Sequence, residues 1–139
     1  MQEAQNTKIV QDAYAAFLRQ DLNALLATFD EQIVWKAVTG AGPHVPTAGE
    51  RRGKASVAEF FKIVAETMNF SVFQPQQFVA QGDKVVTLGH YTAKTSVGGA
   101  FDSDFAMVFT VRNGKITEFQ EFMDSGALNA AFKPAAVSA

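Results

Sequence analysis

Two side chains in the second half of this sequence could exchange protons with a bound molecule near neutral pH. Glu121 shares one face of a β-rich run with Phe119 and Met123, so a carboxylate stands between two large apolar side chains. If that face is enclosed, loss of hydration raises the pKa of Glu121 and makes it a general acid or base. His90 lies on a strand predicted over 84–95, and an imidazole titrates close to physiological pH. We therefore predict Glu121 and His90 as a catalytic proton-transfer pair.

The direction of the Glu121 side chain depends on the turn at Asn113-Gly114, which joins strands predicted over 101–112 and 115–123. A two-residue turn sets Glu121 opposite Ala106, on the polar face of the earlier strand. A three-residue turn with a bulge at Gly114 sets Glu121 opposite Phe105, on the apolar face. We favour the bulged register because it gathers the large apolar side chains of both strands on one buried face.

Apolar side chains from helices and strands are predicted to form the walls of a pocket around this pair. The strand over 101–112 carries apolar residues at odd positions, which indicates that its odd face lies inside. The predicted lining consists of Tyr14, Phe17, Trp35, Phe60, Val64, Phe105, Met107, Phe119 and Met123. The structural alternatives are plain core for these residues, a hydrogen-bonded core carboxylate for Glu121 and a solvent-facing histidine for His90.

The elements that must position this site follow from hydrophobic periodicity. Helical spacing predicts a helix from about residue 5, a short second helix capped by Asp21 and a third over 54–68. A short strand over 33–38 precedes a long loop over 39–53, which contains His44. Four strands follow over 70–80, 84–95, 101–112 and 115–123, and Asp124 is interpreted as the N-cap of a last helix. Helices followed by an antiparallel meander predict an α+β domain.

Composition limits what such a domain binds. The 139 residues are 47% hydrophobic and 19% charged, with a net charge of -2. This balance gives no basic field for nucleic acid, and the surplus apolar surface indicates a pocket, a homodimer interface or both. The sequence has no cysteine and two histidines, so we expect no metal site and no cofactor. No apolar run is long enough to span a membrane, and we expect a cytoplasmic protein, ordered over about 5–133 with a frayed tail over 134–139.

Several local strings resemble one family, and together they cover nearly the whole chain. They are the segment 14–29, Val34-Trp35, the segment 46–53 leading into the third helix, the segment 108–116, and Glu121-Phe122-Met123-Asp124. Their order and spacing are similar to the SnoaL-like branch of the NTF2-like superfamily, which includes polyketide cyclases, ketosteroid isomerases and limonene-epoxide hydrolases. The resemblance implies one cone-shaped domain over 1–139, with a curved sheet wrapped around its helices, and it also implies a homodimer.

The resemblance can be carried to individual positions. Ketosteroid isomerases need a base, a second acid and a tyrosine, but the corresponding positions here are Ala37, Met107 and Ala13, with Tyr14 one residue away. The resemblance therefore argues against steroid isomerisation by that machinery.

The epoxide-hydrolase pattern matches better, although incompletely. Glu121 falls on a pocket carboxylate, His90 replaces a second carboxylate, and Leu88 stands where an arginine belongs.

Two functions remain open from the sequence. The first is a cofactor-free acid-base enzyme that isomerises, cyclises or hydrates a small apolar or aromatic molecule. The second is a non-catalytic module of the same fold that binds a small ligand or forms a dimeric interaction surface. A fold of this kind does not by itself distinguish them.

Overall fold

The computed structural model describes residues 2–134 and contains four helices and one six-stranded sheet in that range. In chain order the elements are α1 (Gln2–Leu18), α2 (Leu22–Ala27), β1 (Phe29–Ala37), β2 (Gly49–Arg52), α3 (Lys54–Thr67), β3 (Met68–Gln81), β4 (Lys84–Thr95), β5 (Ala100–Arg112), β6 (Lys115–Met123) and α4 (Ser125–Phe132). The sheet order is β2-β1-β6-β5-β4-β3. The predicted α+β class is confirmed.

The sheet is mixed rather than wholly antiparallel. Strands β3 to β6 form the predicted antiparallel meander, whereas β1 pairs with β6 in parallel and β2 pairs with β1 antiparallel. The loop predicted over 39–53 therefore ends in an edge strand, β2. Its sequence Gly-Glu-Arg-Arg has no apolar alternation, which is why the pattern did not reveal a strand there.

Helix boundaries follow the capping residues. The side chain of Asp21 accepts a hydrogen bond from the backbone N–H of Ala24 at 3.0 Å, and Asp124 accepts one from Ala127 at 3.0 Å. Both predicted N-caps are confirmed. Helix α1 begins three residues before the predicted start, and the predicted tail lies outside the described residues apart from Pro134.

The turn between β5 and β6 corrects the predicted register. Arg112 pairs with Lys115 across a two-residue turn, and both Asn113 and Gly114 have positive φ angles, of 53° and 77°. A bulge follows at Thr117, because Val111 pairs with Ile116 but Thr110 pairs with Glu118. After the bulge, each residue of β6 pairs with the β5 residue that is one number higher than its partner would be without the bulge. Neither alternative considered from the sequence describes this arrangement.

The bulge sets Glu121 opposite Met107 rather than Phe105 or Ala106. Glu121 therefore occupies the predicted inner face, although its cross-strand partner is shifted by two residues. The odd positions of β5 are buried as predicted, and helices α1, α3 and α4 pack on this inner face. Among residues 2–134 no helix is both long and apolar enough to cross a lipid bilayer.

Gly89 leaves room for an aromatic ring in the middle of β4. A β-carbon built there would lie 2.3 Å from the backbone oxygen of Gln74 and 2.4 Å from Cζ of Phe105. The ring of Phe105 fills this space and packs against Phe73 and Tyr91, with ring centroids 5.6 and 4.8 Å away. The close approach of two strands and one ring therefore depends on the missing side chain.

Replacement Gly89→Ala should destabilise the protein by about 1–3 kcal/mol, because a methyl group there overlaps backbone as well as the Phe105 ring. Urea unfolding followed by circular dichroism measures the change. The matched control is Gly126→Ala in α4, where the nearest atom is 3.6 Å away and alanine should raise helix stability by about 0.5–1 kcal/mol. Equal stability of Gly89→Ala and the parent protein would contradict the packing described here.

Candidate active site

An apolar cavity of about 90 Å³ lies between the inner face of the sheet and helices α1, α3 and α4. Its volume exceeds the roughly 10–15 Å³ that one water molecule needs. Its lining comprises Ala13, Tyr14, Phe17, Leu25, Phe29, Trp35, Val38, Thr47, Phe60, Phe61, Val64, Met68, Phe70, Phe73, Tyr91, Phe101, Met107, Phe109, Phe119, Glu121 and Leu128. Within this lining Glu121 is the one carboxylate, and there is no histidine or basic residue.

Glu121 is held from one side by Tyr91. The phenol of Tyr91 donates a hydrogen bond to Oε2 of Glu121 at 2.8 Å, across the sheet from β4 to β6. Burial raises the pKa of Glu121 to about 7, and the hydrogen bond from Tyr91 opposes part of that rise. Glu121 is half-buried by accessible area, since part of its surface faces the cavity. The raised pKa expected from the sequence is therefore present, and the group can accept or donate a proton near neutral pH.

The two cavity tyrosines stay protonated. Burial raises the pKa of the Tyr91 phenol, and the nearby negative charge of Glu121 raises it further. Burial likewise raises the pKa of Tyr14, the side chain of Thr87 opposes part of that rise, and the negative charge of Glu121 adds a smaller increase. Tyr14 donates its hydrogen to the sulfur of Met107 at 3.0 Å, a weak acceptor. Both phenols therefore act as neutral donors around a carboxyl group that titrates.

Aromatic packing fixes the wall beside Glu121. The indole of Trp35 stacks on Phe119 with ring centroids 3.8 Å apart and planes inclined by 17°. Phe29, Phe60 and Phe61 contact the same indole with centroids 5.3, 5.5 and 5.3 Å away. Pairing of Trp35 with Phe119 in the parallel β1–β6 ladder places this stack two residues from Glu121 on the same strand face. Each ring of this wall packs against at least two others.

Most of the predicted pocket residues line the cavity. Tyr14, Phe17, Trp35, Phe60, Val64, Met107, Phe119 and Glu121 all do so. Phe105 and Met123 do not. Phe105 turns into the space above Gly89 and belongs to the packed core, while Met123 ends β6 opposite Phe105 as a partly buried core contact.

His90 lies on the outer face of the sheet, so the predicted pairing with Glu121 is wrong. Its Nδ1 is 2.8 Å from Oδ1 of Asp104, and its Nε2 is 2.6 Å from Oδ1 of Asp102. Hydrogen bonds to Asp104 and Asp102 raise the pKa of His90, so this ion pair forms outside the cavity. Strand alternation is the physical reason: even positions of β4 face outward and odd positions face the cavity. Among residues 2–134 no cluster of three or more histidine and carboxylate side chains is arranged to hold a metal ion.

Tyr91 is the partner that the sequence analysis missed, although the sequence contains a signal for it. The antiparallel pairing of β4 with β5 matches odd positions to odd positions, as in Tyr91 with Ser103. Because the odd residues of β5 were predicted to face inward, the odd residues of the paired strand β4 should face inward too. That rule would have selected Tyr91 instead of His90. The segment between β1 and β2 also contributes Val38 and Thr47 to the lining, whereas His44 is exposed and donates its backbone N–H to Asn129.

Comparison with known proteins identifies relatives of the whole fold. A family model described as a SnoaL-like domain matches residues 10–119. A crystal structure of an NTF2-like protein from Burkholderia xenovorans LB400 is 33% identical, covers 94% of this chain and 98% of its own, and superposes with a TM-score of 0.85. No curated protein matches the chain.

Two further solved structures share the fold. TerC, co-crystallised with polyporic acid, is 25% identical, with 92% of this chain and 98% of that chain covered and a TM-score of 0.79. A protein from Xanthomonas campestris pv. campestris described as a putative polyketide cyclase is 20% identical, with 96% of this chain and 100% of that chain covered and a TM-score of 0.76.

The raised pKa of Glu121 predicts a specific pH dependence of stability. Between the unfolded pKa of about 4.5 and the folded pKa of about 7, the folded state binds this proton more tightly than the unfolded chain. The free energy of unfolding should therefore fall as pH rises through that window. Replacement Glu121→Gln removes this contribution, so the variant should be more stable than the parent near pH 8 by up to about 3 kcal/mol and similar near pH 4.

Urea unfolding at several pH values measures this difference. The control is Glu118→Gln, whose side chain is exposed on the same strand. It should keep the pH dependence of the parent. Parallel stability curves for the parent and Glu121→Gln would show that Glu121 titrates like a surface carboxylate.

Proposed function

We propose that this chain, which belongs to the SnoaL-like domain family, binds a small apolar or aromatic molecule in its cavity and catalyses proton transfer on it through Glu121. The observation that carries the proposal is one carboxyl group with a pKa of about 7 inside an otherwise apolar lining. A pKa near the operating pH is what a general acid or base needs. Proton transfer of this kind underlies isomerisation, cyclisation and hydration.

Glu121 can act first as a base and then as an acid. The deprotonated carboxylate removes a proton from carbon next to a ligand carbonyl, and the electron pair of the broken C–H bond moves onto the carbonyl oxygen as an enolate. The protonated Glu121 then returns the proton at another position, or the enolate carbon attacks a second carbonyl of the same molecule and closes a ring. No external oxidant or reductant is needed for either course.

Tyr91 is proposed as the positioning residue for this step. Its hydrogen bond occupies Oε2 of Glu121 at 2.8 Å, which leaves the second oxygen, Oε1, as the atom proposed to exchange the proton with the ligand. The raised pKa of the phenol keeps Tyr91 a donor while Glu121 changes charge. The same bond keeps the carboxyl pKa from rising further, so the base remains available near neutral pH.

The chemistry of the lining supports apolar or aromatic ligands in preference to nucleotides. Phenylalanine, methionine and tryptophan dominate the walls, and none of the lining side chains is a lysine, arginine or histidine that could pair with phosphate. The similar protein TerC was co-crystallised with polyporic acid, which is consistent with a ligand site in this fold. The cytoplasmic location expected from the sequence stays a prediction.

A non-catalytic ligand-binding module is the alternative, and one observation favours it. With His90 on the outer face, Glu121 is the single lining side chain that changes charge near neutral pH. A binding module needs no second titrating group, whereas a catalyst must stabilise the charge that develops on its substrate.

Exchange of carbon-bound hydrogen in D2O distinguishes the two functions. We use β-tetralone, an aromatic ketone with acidic hydrogens beside its carbonyl, and follow deuterium uptake by NMR. The protein should accelerate exchange with a rate that rises with pH around a midpoint of about 7. Glu121→Gln should lower the rate at least about a hundredfold. The matched control His90→Asn should leave it unchanged, because His90 faces away from the cavity.

The variant Tyr91→Phe tests whether Tyr91 positions Glu121 or contributes only to packing. Loss of its hydrogen bond should move the midpoint of the pH profile upward, because that bond lowers the pKa of Glu121. Binding of β-tetralone without accelerated exchange would support the binding module. Equal exchange by the parent and Glu121→Gln would remove the cavity carboxylate from the mechanism.

A homodimer through the outer face of the sheet is the second part of the proposal. Adjacent strands there carry a continuous row of apolar side chains, which we call the outer apolar patch: Val79, Val86, Leu88, Ala106, Val108 and Phe122. Val79 is 56% exposed and Phe122 51% exposed. Exposed apolar area of this kind commonly marks an interface.

Charges at the two ends of the outer apolar patch are complementary. Asp102 and Asp104 lie towards one end of β5, while Lys84 and Arg112 lie at the other. A twofold axis running across the strands would bring the acidic end of one copy onto the basic end of the other.

Light scattering of the purified protein at tens of micromolar should therefore give the mass of a dimer. Replacement Phe122→Lys places a charge in the outer apolar patch and should weaken association at least about a hundredfold. Leu18→Lys is the matched control, since Leu18 is also 51% exposed but lies on α1, away from the patch. A monomer mass for the parent protein would contradict this interface.

A further inference from the structure

The cavity is smaller than the molecules proposed to bind in it. Its volume is about 90 Å³. An apolar cavity that binds one benzene molecule has a volume of roughly 150 Å³. β-Tetralone is larger than benzene, because it has a second ring and a carbonyl group. Part of the cavity wall therefore has to move when such a molecule binds.

One part of the wall differs from the rest in its backbone. All of the lining residues except Val38 and Thr47 lie in helices or strands, where neighbouring turns or strands hold the backbone. Val38 and Thr47 belong to the segment 38–48 between β1 and β2, which we call the flap. Segments with few backbone hydrogen bonds open at a lower free-energy cost than helices and sheets. The flap is therefore the part of the wall best able to move.

Few hydrogen bonds connect the flap to the rest of the domain. Outside the sheet it has two backbone hydrogen bonds within the described range 2–134, of 3.0 and 3.3 Å, and both close turns inside the flap. The bond that ties it to another element runs from the backbone N–H of His44 to Oδ1 of Asn129 on α4, at 3.3 Å. The attachment of the flap to α4 thus depends on one long hydrogen bond and on apolar packing.

Backbone angles at the two ends of the flap favour a hinge. Val38 has a φ of 41°, a strained value for a β-branched residue, and Gly49, just beyond the other end, has a φ of 124°. Burial of Ala41 and Val45, each 6% exposed, holds the flap down. Opening relieves the strain at Val38 but exposes these two side chains. The closed arrangement is therefore favoured while its backbone is under strain.

We propose that the flap is a lid, which swings away from α4 to admit a ligand and then closes with Val38 and Thr47 against it. Entry and release of the ligand are then limited by flap opening rather than by diffusion. The inference rests on the proposed function in taking the cavity as the ligand site, but it does not require catalysis.

A reversible crosslink between the flap and α4 tests the lid without a ligand. A β-carbon built on Gly42 lies 2.8 Å from Cγ of Asn129, so cysteines at these positions are within reach of a disulfide, and the sequence has no other cysteine. Acrylamide, a small neutral quencher, reports access to Trp35, the single tryptophan, which lines the cavity. Oxidation of Gly42→Cys/Asn129→Cys should lower the quenching constant at least about threefold, and reduction should restore it. Equal quenching in the oxidised and reduced forms overturns the lid.

A second variant keeps the test valid if the disulfide does not form, because Gly42 has a φ of 114°, which disfavours cysteine. Asn129→Ala removes the hydrogen bond to the flap, so it should raise the quenching constant about fivefold. The matched control is Asn23→Ala, an exposed asparagine on α2, which should leave quenching unchanged. Quenching of Asn129→Ala at the level of the parent protein would also contradict the lid.

β-Tetralone separates this inference from the proposed function. Oxidation of the double variant should slow its association, followed by Trp35 fluorescence in a stopped-flow instrument, at least about tenfold. Quenching that responds to the crosslink, without any binding of β-tetralone, leaves the lid standing and contradicts the proposed function. Unchanged quenching together with deuterium exchange that depends on Glu121 does the reverse.

Discussion

The extra residue in β6 determines which chemistry the protein can support. Side chains alternate along a strand, so one inserted residue reverses the face of every residue that follows. Without the bulge at Thr117, the two-residue turn would place Glu121 opposite Ala106, on the outer face. With it, Glu121 faces the cavity and receives the Tyr91 hydrogen bond. The raised pKa of Glu121, the hydrogen bond from Tyr91 and the inward position of Phe119 all depend on this local irregularity.

The sequence predicted the fold class and the inward direction of Glu121. Helical periodicity, two aspartate caps and the alternating strands of the meander were each confirmed, as was the SnoaL-like resemblance. These features are local, because each depends on residues close together in the chain. The parallel pairing of β1 with β6 and the short strand β2 depend on distant neighbours and had no local signal. The position of a bulge also leaves no clear mark in hydrophobicity, so the register was wrong.

The partner of Glu121 illustrates how one choice of strand face changes a mechanism. A histidine attracts attention because of its intrinsic pKa, but His90 and Tyr91 are adjacent and therefore point to opposite faces. His90 bonds to two aspartates on the outside, while the phenol enters the cavity. The cavity thereby keeps a single ionisable centre surrounded by rings. Its electrostatics are controlled by burial rather than by an opposing charge, and so the carboxyl pKa is raised instead of lowered.

The parallel contact between β1 and β6 has a consequence for the order of folding. Trp35 and Phe119 come from strands that are first and last in the chain but adjacent in the sheet, so their stack brings together residues separated by most of the chain. Closing so long a loop carries an entropic cost that contacts within the meander do not share. The hairpins of β3 to β6 can therefore assemble first, with β1 joining last. During synthesis the aromatic side chains of β1 and α3 emerge well before β6 exists to cover them, so this wall is the part of the young chain most exposed to misassociation.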